Sequence, residues 1–297
     1  MKVTSCLLNI LFFVVLGFLF RDELHSLFFS WVRDSNYQHG FFVLAISIFL
    51  ILYQFKKYPH KLLLWKQALE TPWVKSEDWK RDAILWVIVL FLYALGMFKG
   101  ITYLNLMTLL LFIRLWSLCL VGREGSSILN FPLFYVFLAF PLPGLASLTI
   151  YLQRYTAHYV SQFMMKYDEY IGHGYYKMWD EGNFLHLPNF SFEIVPECTG
   201  VHSFLTLLSL MVLFLGFLNL KKYQKVMVGL FCVPISLVGN FLRILTLVFI
   251  AFKSSQETDM AFWHYWGGLF FFAISLSLEF LVIALFQLLN RCCSNNK

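Results

Sequence analysis

Apolar residues run through this chain in long blocks separated by short stretches rich in Lys, Asp, Glu and Pro. Each block is close to the ~20 residues that an α-helix needs to cross ~30 Å of hydrocarbon. The blocks predict eight spans, roughly at 6–20, 39–55, 83–98, 101–121, 128–150, 199–220, 225–252 and 264–289. The fold class is therefore all-α: a polytopic integral membrane helical bundle of about eight transmembrane helices. Span five contains Pro132, Pro141, Pro143 and Gly144, so it is expected to kink or to end early. The first block resembles a secretory h-region, but Arg21-Asp22-Glu23-Leu24 follows where a small-residue cleavage site would lie. It is read as a retained helix.

The longest polar stretch, 151–197, interrupts this pattern. Its first part, with Tyr155, Val160, Phe163 and Met164, suits an amphipathic helix lying on the membrane. Its later part, Gly182-Asn183-Phe184-Leu185-His186-Leu187-Pro188, reads as turn and extended backbone. No repeat or low-complexity tract divides the chain, so residues 1–297 are read as one transmembrane domain with 151–197 as a segment at one face.

Composition agrees. The 297 residues are 59% hydrophobic and 13% charged, about half the ~25% charge of a soluble domain. Mean hydropathy is +0.68. In such a chain the net charge of +6 does not signal nucleic-acid binding; it reports which loops stay in the cytoplasm. With the N-terminus inside, the inner segments carry 14 basic and five acidic residues, net +9. The outer segments carry seven basic and 11 acidic residues, net −4. The asymmetry predicts an N-in, C-in topology, which puts 151–197 and Cys198 outside.

That placement changes the standing of the six cysteines. Cys6, Cys119, Cys232, Cys292 and Cys293 fall in the inner half; Cys198 is the only one at the outer face. A lone thiol in an oxidising compartment is incidental, intermolecular or reactive. Arg243 lies inside span seven, ~13 Å below its outer end. Buried charge in hydrocarbon marks function by default, although a structural arginine paired with Glu279 or with carbonyls fits equally. Asn240 precedes it by three residues on the same helical face. His264 opens span eight between Trp263 and Tyr265, at the level of Cys198, where aromatic residues belong to the interfacial belt. Taken together, a thiolate can attack, an imidazole can move protons and a guanidinium can stabilise negative charge. Cys198 also lies at a predicted helix start, where the N–H groups of Thr199, Gly200 and Val201 would favour a thiolate and cradle an oxyanion.

These residues resemble the exosortase/archaeosortase family of membrane cysteine transpeptidases. Its Cys-Ser-Gly-like, Asn-x-x-Arg and His motifs match Cys198-Thr199-Gly200, Asn240-Phe241-Leu242-Arg243 and His264. Tyr37-Gln38-His39-Gly40, the Pro-rich stretch from Phe131 to Pro143, and Gly182-Asn183 to Leu187-Pro188 are similar to further family segments. The likeness covers roughly residues 30–285. Thr199 replaces the usual serine, and Glu197 stands where a small residue is common. Glu197 could raise the thiol pKa by like-charge proximity, or pair with His264 or Arg243.

The resemblance implies a sorting enzyme of the cell (inner) membrane, with its active site at the outer face. Its partners are membrane-anchored proteins that end in a short motif, a membrane helix and a basic cluster, the PEP-CTERM type of signal. His202, four residues after Cys198, is a rival base, and His39 is a candidate for the outer site or for packing. Glu279 reads as structural, and Gly267-Gly268 as a close helix approach. No zinc spacing, P-loop or dinucleotide fingerprint is present, so neither metal nor cofactor is expected. A transporter or channel with Arg243 lining its path is the alternative, but no inverted repeat supports it. A thiol oxidoreductase would need a resolving outer cysteine.

Overall fold

The computed structural model describes residues 2–70, 79–172, 174, 177–188, 190–253 and 257–295, some of them by their backbone alone. The chain forms two compact units, 1–143 and 144–297. Long apolar runs fold as helices because hydrocarbon offers no hydrogen-bond partners, so every backbone group must be satisfied internally.

The first unit comprises α1 (Lys2–Leu19), α2 (Arg21–Arg33), α3 (Gly40–Lys57), α4 (Pro59–Glu70), α5 (Trp79–Lys99), α6 (Thr102–Ser126) and α7 (Asn130–Val136). Two of these, α2 and α4, lie outside the expected spans. Both are amphipathic and too polar to register as apolar blocks: α2 buries Leu27 and Trp31, and α4 buries Trp65 and Ala68. The α4 residues join Trp116, Leu120, Ile128 and Leu129 in one cluster. Glu23 of α2 is buried and accepts a hydrogen bond from Asn105 Nδ2 of α6 at 2.6 Å.

The expected span 128–150 is not one helix. α7 runs into a 3-10 turn, Phe137–Ala139, and the chain then leaves the helix through 140–142 and turns at Pro143-Gly144. Pro141 and Pro143 supply no N–H, and the residue before a proline is pushed out of the helical region; Phe140 sits at φ −84°, ψ 141°. The freed backbone groups are taken up by side chains. Trp31 Nε1 donates to the Ala139 carbonyl at 2.8 Å, His39 Nε2 lies 3.1 Å from the Leu138 carbonyl, and the Leu142 N–H donates to the Tyr37 hydroxyl at 3.0 Å. Tyr37-Gln38-His39-Gly40 thus clamps the Pro-rich segment. Gly40 is required there because any β-carbon would collide with the Trp31 ring.

The second unit comprises α8 (Leu145–Ile171), β1 (Trp179–Glu181), β2 (Phe184–Leu187), β3 (Phe190–Glu193), α9 (Val201–Phe217), α10 (Lys222–Lys253) and α11 (Glu257–Asn295). α8 is the amphipathic helix expected after residue 151. Its buried stripe, however, is Leu145, Thr149, Gln153, Ala157, Val160 and Met164, while Tyr155 and Phe163 face outward. The predicted extended stretch is an antiparallel sheet in the order β1-β2-β3, with a turn at Gly182-Asn183 between β1 and β2. Leu185, Leu187 and Ile194 bury one face of this region with Ala157, Val160 and Met164 of α8. α10 packs against both α9 and α11.

Among the described residues, five helical stretches are long and apolar enough to cross a membrane: Ser35–Lys57, Arg81–Lys99, Thr102–Ala139, Lys222–Lys253 and Trp266–Cys292. Leu7–Leu19 and Val201–Phe217 are shorter apolar helices. Large apolar side chains such as Phe18, Phe42 and Phe98 point outward from them, as expected where lipid replaces water. The chain is a helical membrane protein.

Candidate active site

β3 leads directly into the stretch that carries Cys198. Val195 is extended (φ −71°, ψ 162°), and Pro196–Cys198 then form a 3-10 turn. The Cys198 N–H donates to the Val195 carbonyl at 2.8 Å, and the Thr199 N–H to the Pro196 carbonyl at 3.2 Å. The Thr199 hydroxyl reinforces the turn by donating to Pro196 O at 2.8 Å and accepts from the Val201 N–H at 3.4 Å. A serine hydroxyl could do the same. Gly200 then takes φ +84°, in the left-handed region, and α9 starts at Val201. That φ favours glycine. Space demands it as well: a β-carbon at 200 would lie 3.1 Å from Asn240 Cβ and 3.4 Å from Ser236 O. The tight turn therefore sets Cys198 against α10.

α10 answers with Asn240, whose Nδ2 donates to the Cys198 carbonyl. Arg243 follows one turn later and is 9% exposed. Its guanidinium packs on Gly268 of α11, where a β-carbon would come within 3.4 Å of Cζ. Of the glycine pair only Gly268 has such a neighbour, and it is a side chain; a β-carbon at Gly267 would meet nothing within 4 Å. Asn240 and Arg243 line a small cavity of about 10 Å³ with Ser203, Ser236, Gly239, Gly268, Phe271, Phe272 and Ser275. Asn240 Oδ1 has no hydrogen-bond partner among the described residues. Glu279 is fully buried beside Cys232, further along the α10–α11 seam. It lies 11 residues beyond Gly268, or ~16 Å of helix, too far to pair with Arg243.

One expectation needs correcting. Of the N–H groups at 199, 200 and 201, those of Thr199 and Val201 are occupied by the turn itself. Only the Gly200 N–H has no partner among the described residues. A 3-10 turn placed before the helix consumes donors that a plain helix start would leave open. Cys198 itself is 4% accessible and belongs to the apolar cluster with Ile194, Ile244, Leu245 and Val248.

His264 falls on α11, one turn before Gly268 and hence ~6 Å from it along the axis. Its side chain, like that of Glu197, lies outside the described residues. His202 is half-buried in the first turn of α9. His39 belongs to the first unit, at the Leu138 carbonyl.

A scan against protein families matches the transmembrane exosortase model over residues 31–281. The chain belongs to the transmembrane exosortase family. No curated protein and no solved structure matches it. The match starts within α2, ends within α11, and takes in the clamp, the sheet, the Cys198 turn and the Asn240–Arg243 helix. For this exosortase one contributor to the site is absent from the motif reading. Gln153 of α8, 6% exposed, donates through Nε2 to the Ile194 carbonyl at 2.7 Å. The Ile194 N–H donates to Asn183 O at 2.8 Å. The strand end before Cys198 is therefore held from both sides. The signal for Gln153 was a polar residue on the four-residue stripe Leu145, Thr149, Gln153, Ala157, where only a bonded amide is tolerated.

Proposed function

We propose that this exosortase is a membrane cysteine transpeptidase or protease that cleaves C-terminal, PEP-CTERM-like sorting signals of exported, membrane-anchored proteins. Its N- and C-termini face the cytoplasm, and cleavage takes place at the outer face of the cell (inner) membrane. The observation that carries the reading is the joint between the two motifs: Asn240, of the Asn-x-x-Arg pair, holds the carbonyl of Cys198 itself.

The chemistry runs as follows. Cys198, as thiolate, attacks the scissile carbonyl, forming a C–S bond and an oxyanion. The Gly200 N–H and Arg243 stabilise that charge. The carbonyl re-forms as the C–N bond breaks, and the amine leaves with the anchoring helix, taking its proton from His264. A thioester remains on Cys198. An acceptor amine or hydroxyl, or water, then attacks the thioester and gives its proton to His264, and the thiolate departs. The burial of Cys198 suits this path, because the acyl-enzyme is shielded from adventitious water until the acceptor arrives.

The test is co-expression with a reporter ending in a short motif, a membrane helix and a basic cluster. The wild type shortens the reporter and Cys198→Ala leaves it at full length. Complete processing by Cys198→Ala would sink the assignment.

A further inference from the structure

The sheet ahead of Cys198 ends in open strand edges. Among the described residues the order β1-β2-β3 leaves β1 and β3 each bordered on one side only, and β3 is the edge strand that runs on into the Cys198 turn. Its register pairs Leu187 with Phe190, Leu185 with Phe192, and continues to Asn183 and Ile194. The Ile194 N–H bonds to Asn183 O, so 194, 192 and 190 are the hydrogen-bonded positions, which alternate along an antiparallel ladder. Ser191 and Glu193 therefore aim their N–H and C=O groups away from β2. Both residues are exposed, and none of these four groups has a partner among the described residues.

The geometry points to this edge as the docking strand for the polypeptide that is cut: an extended segment of the anchored substrate adds to β3 as a fourth strand. The inference rests on the function proposed above and names the site that presents the scissile bond. Continuity is the main argument. β3 passes through Ile194 and Val195 into the Cys198 turn, so a segment paired at Ser191 and Glu193 runs alongside the backbone that carries the thiol. The platform is also fixed. One face is buried through Leu185, Leu187 and Ile194, and Gln153 and Asn183 hold Ile194 at the end nearest the nucleophile. A long open edge is an aggregation hazard that proteins blunt. This one is four residues long. It offers only a few backbone bonds, enough for a transient strand and too few for a stable dimer. Main-chain pairing would also tolerate many substrate sequences.

Proline separates the backbone from the side chain. Ser191→Pro removes an outward N–H without touching the β2 ladder, whereas Ser191→Ala removes only the hydroxyl that bonds His186 Nδ1. The full-length enzyme is assayed in membranes with the reporter described above. Processing by Ser191→Pro is expected to fall about tenfold below that of Ser191→Ala, the loss expressed in KM rather than kcat. The two variants should unfold at the same temperature, which reports an intact fold. A benzophenone side chain placed at 191 in the Cys198→Ala enzyme should crosslink the reporter. Equal processing by the two variants, or a crosslink to a second copy of the enzyme in place of the reporter, overturns the docking strand. The crosslink needs no cleavage, so it decides on the edge even if Cys198→Ala were found to process the reporter.

Discussion

Gly200 is where backbone strain and space impose the same residue. At φ +84° a β-carbon costs about 1–2 kcal/mol, and here it would also press on Asn240 Cβ at 3.1 Å. Gly200→Ala should push Asn240 off the Cys198 carbonyl, and loss of reporter processing together with a lowered melting temperature checks this. Asn240→Ala removes the amide's bond to that buried carbonyl, a loss of about 1–3 kcal/mol. Thermal unfolding of the purified variant measures it. Arg243→Lys keeps the charge but not the planar fork. If the guanidinium stabilises the oxyanion, processing falls on the order of 100-fold, with the protein still folded and inserted. Wild-type rates would reduce Arg243 to a packing residue on Gly268. At this scale the sequence marked Cys198, Asn240, Arg243 and Gly200 by residue type and position. It left Gln153 unmarked, because a buried amide looks like any other polar residue until its carbonyl partner is known.

Among the elements, the Pro-rich turn teaches most. Pro141, Pro143 and Gly144 signalled a break, but not what would satisfy the backbone they release. That work falls to Trp31, Tyr37 and His39, about 100 residues away in the chain. Local pattern cannot reveal such long-range pairing. Trp31→Phe keeps the ring but loses its bond to the Ala139 carbonyl, so destabilisation of about 1–3 kcal/mol is expected in thermal unfolding. Gly40→Ala should do at least as much harm, through collision with the same ring. α2 and α4 escaped the hydropathy pattern for a related reason: each is a polar-faced helix whose apolar stripe, Leu27 and Trp31 or Trp65 and Ala68, shows only against its neighbours. The sheet was foreshadowed by Gly182-Asn183, which closes the first hairpin. Its third strand was not, because Phe190 to Glu193 carries no turn signal of its own.

For the whole molecule, hydropathy located the membrane class, and the strongest spans are those with long uninterrupted apolar runs, such as Trp266–Cys292. The proposed orientation rests on charge: the segments assigned inside carry net +9 and those assigned outside net −4. In an enzyme freed of other reactive cysteines, a cysteine replacing Glu169 should react with a membrane-impermeant maleimide added to intact cells. One replacing Lys222 should react only after lysis. The opposite pattern would put the Cys198 turn on the cytoplasmic face and remove exported proteins as substrates. The most direct test of the central claim is mass spectrometry of the enzyme isolated from cells making the anchored reporter. The account predicts an acyl adduct on Cys198 that hydroxylamine releases. Cleaved reporter accumulating with Cys198 never acylated, even when the acceptor step is slowed, would contradict it.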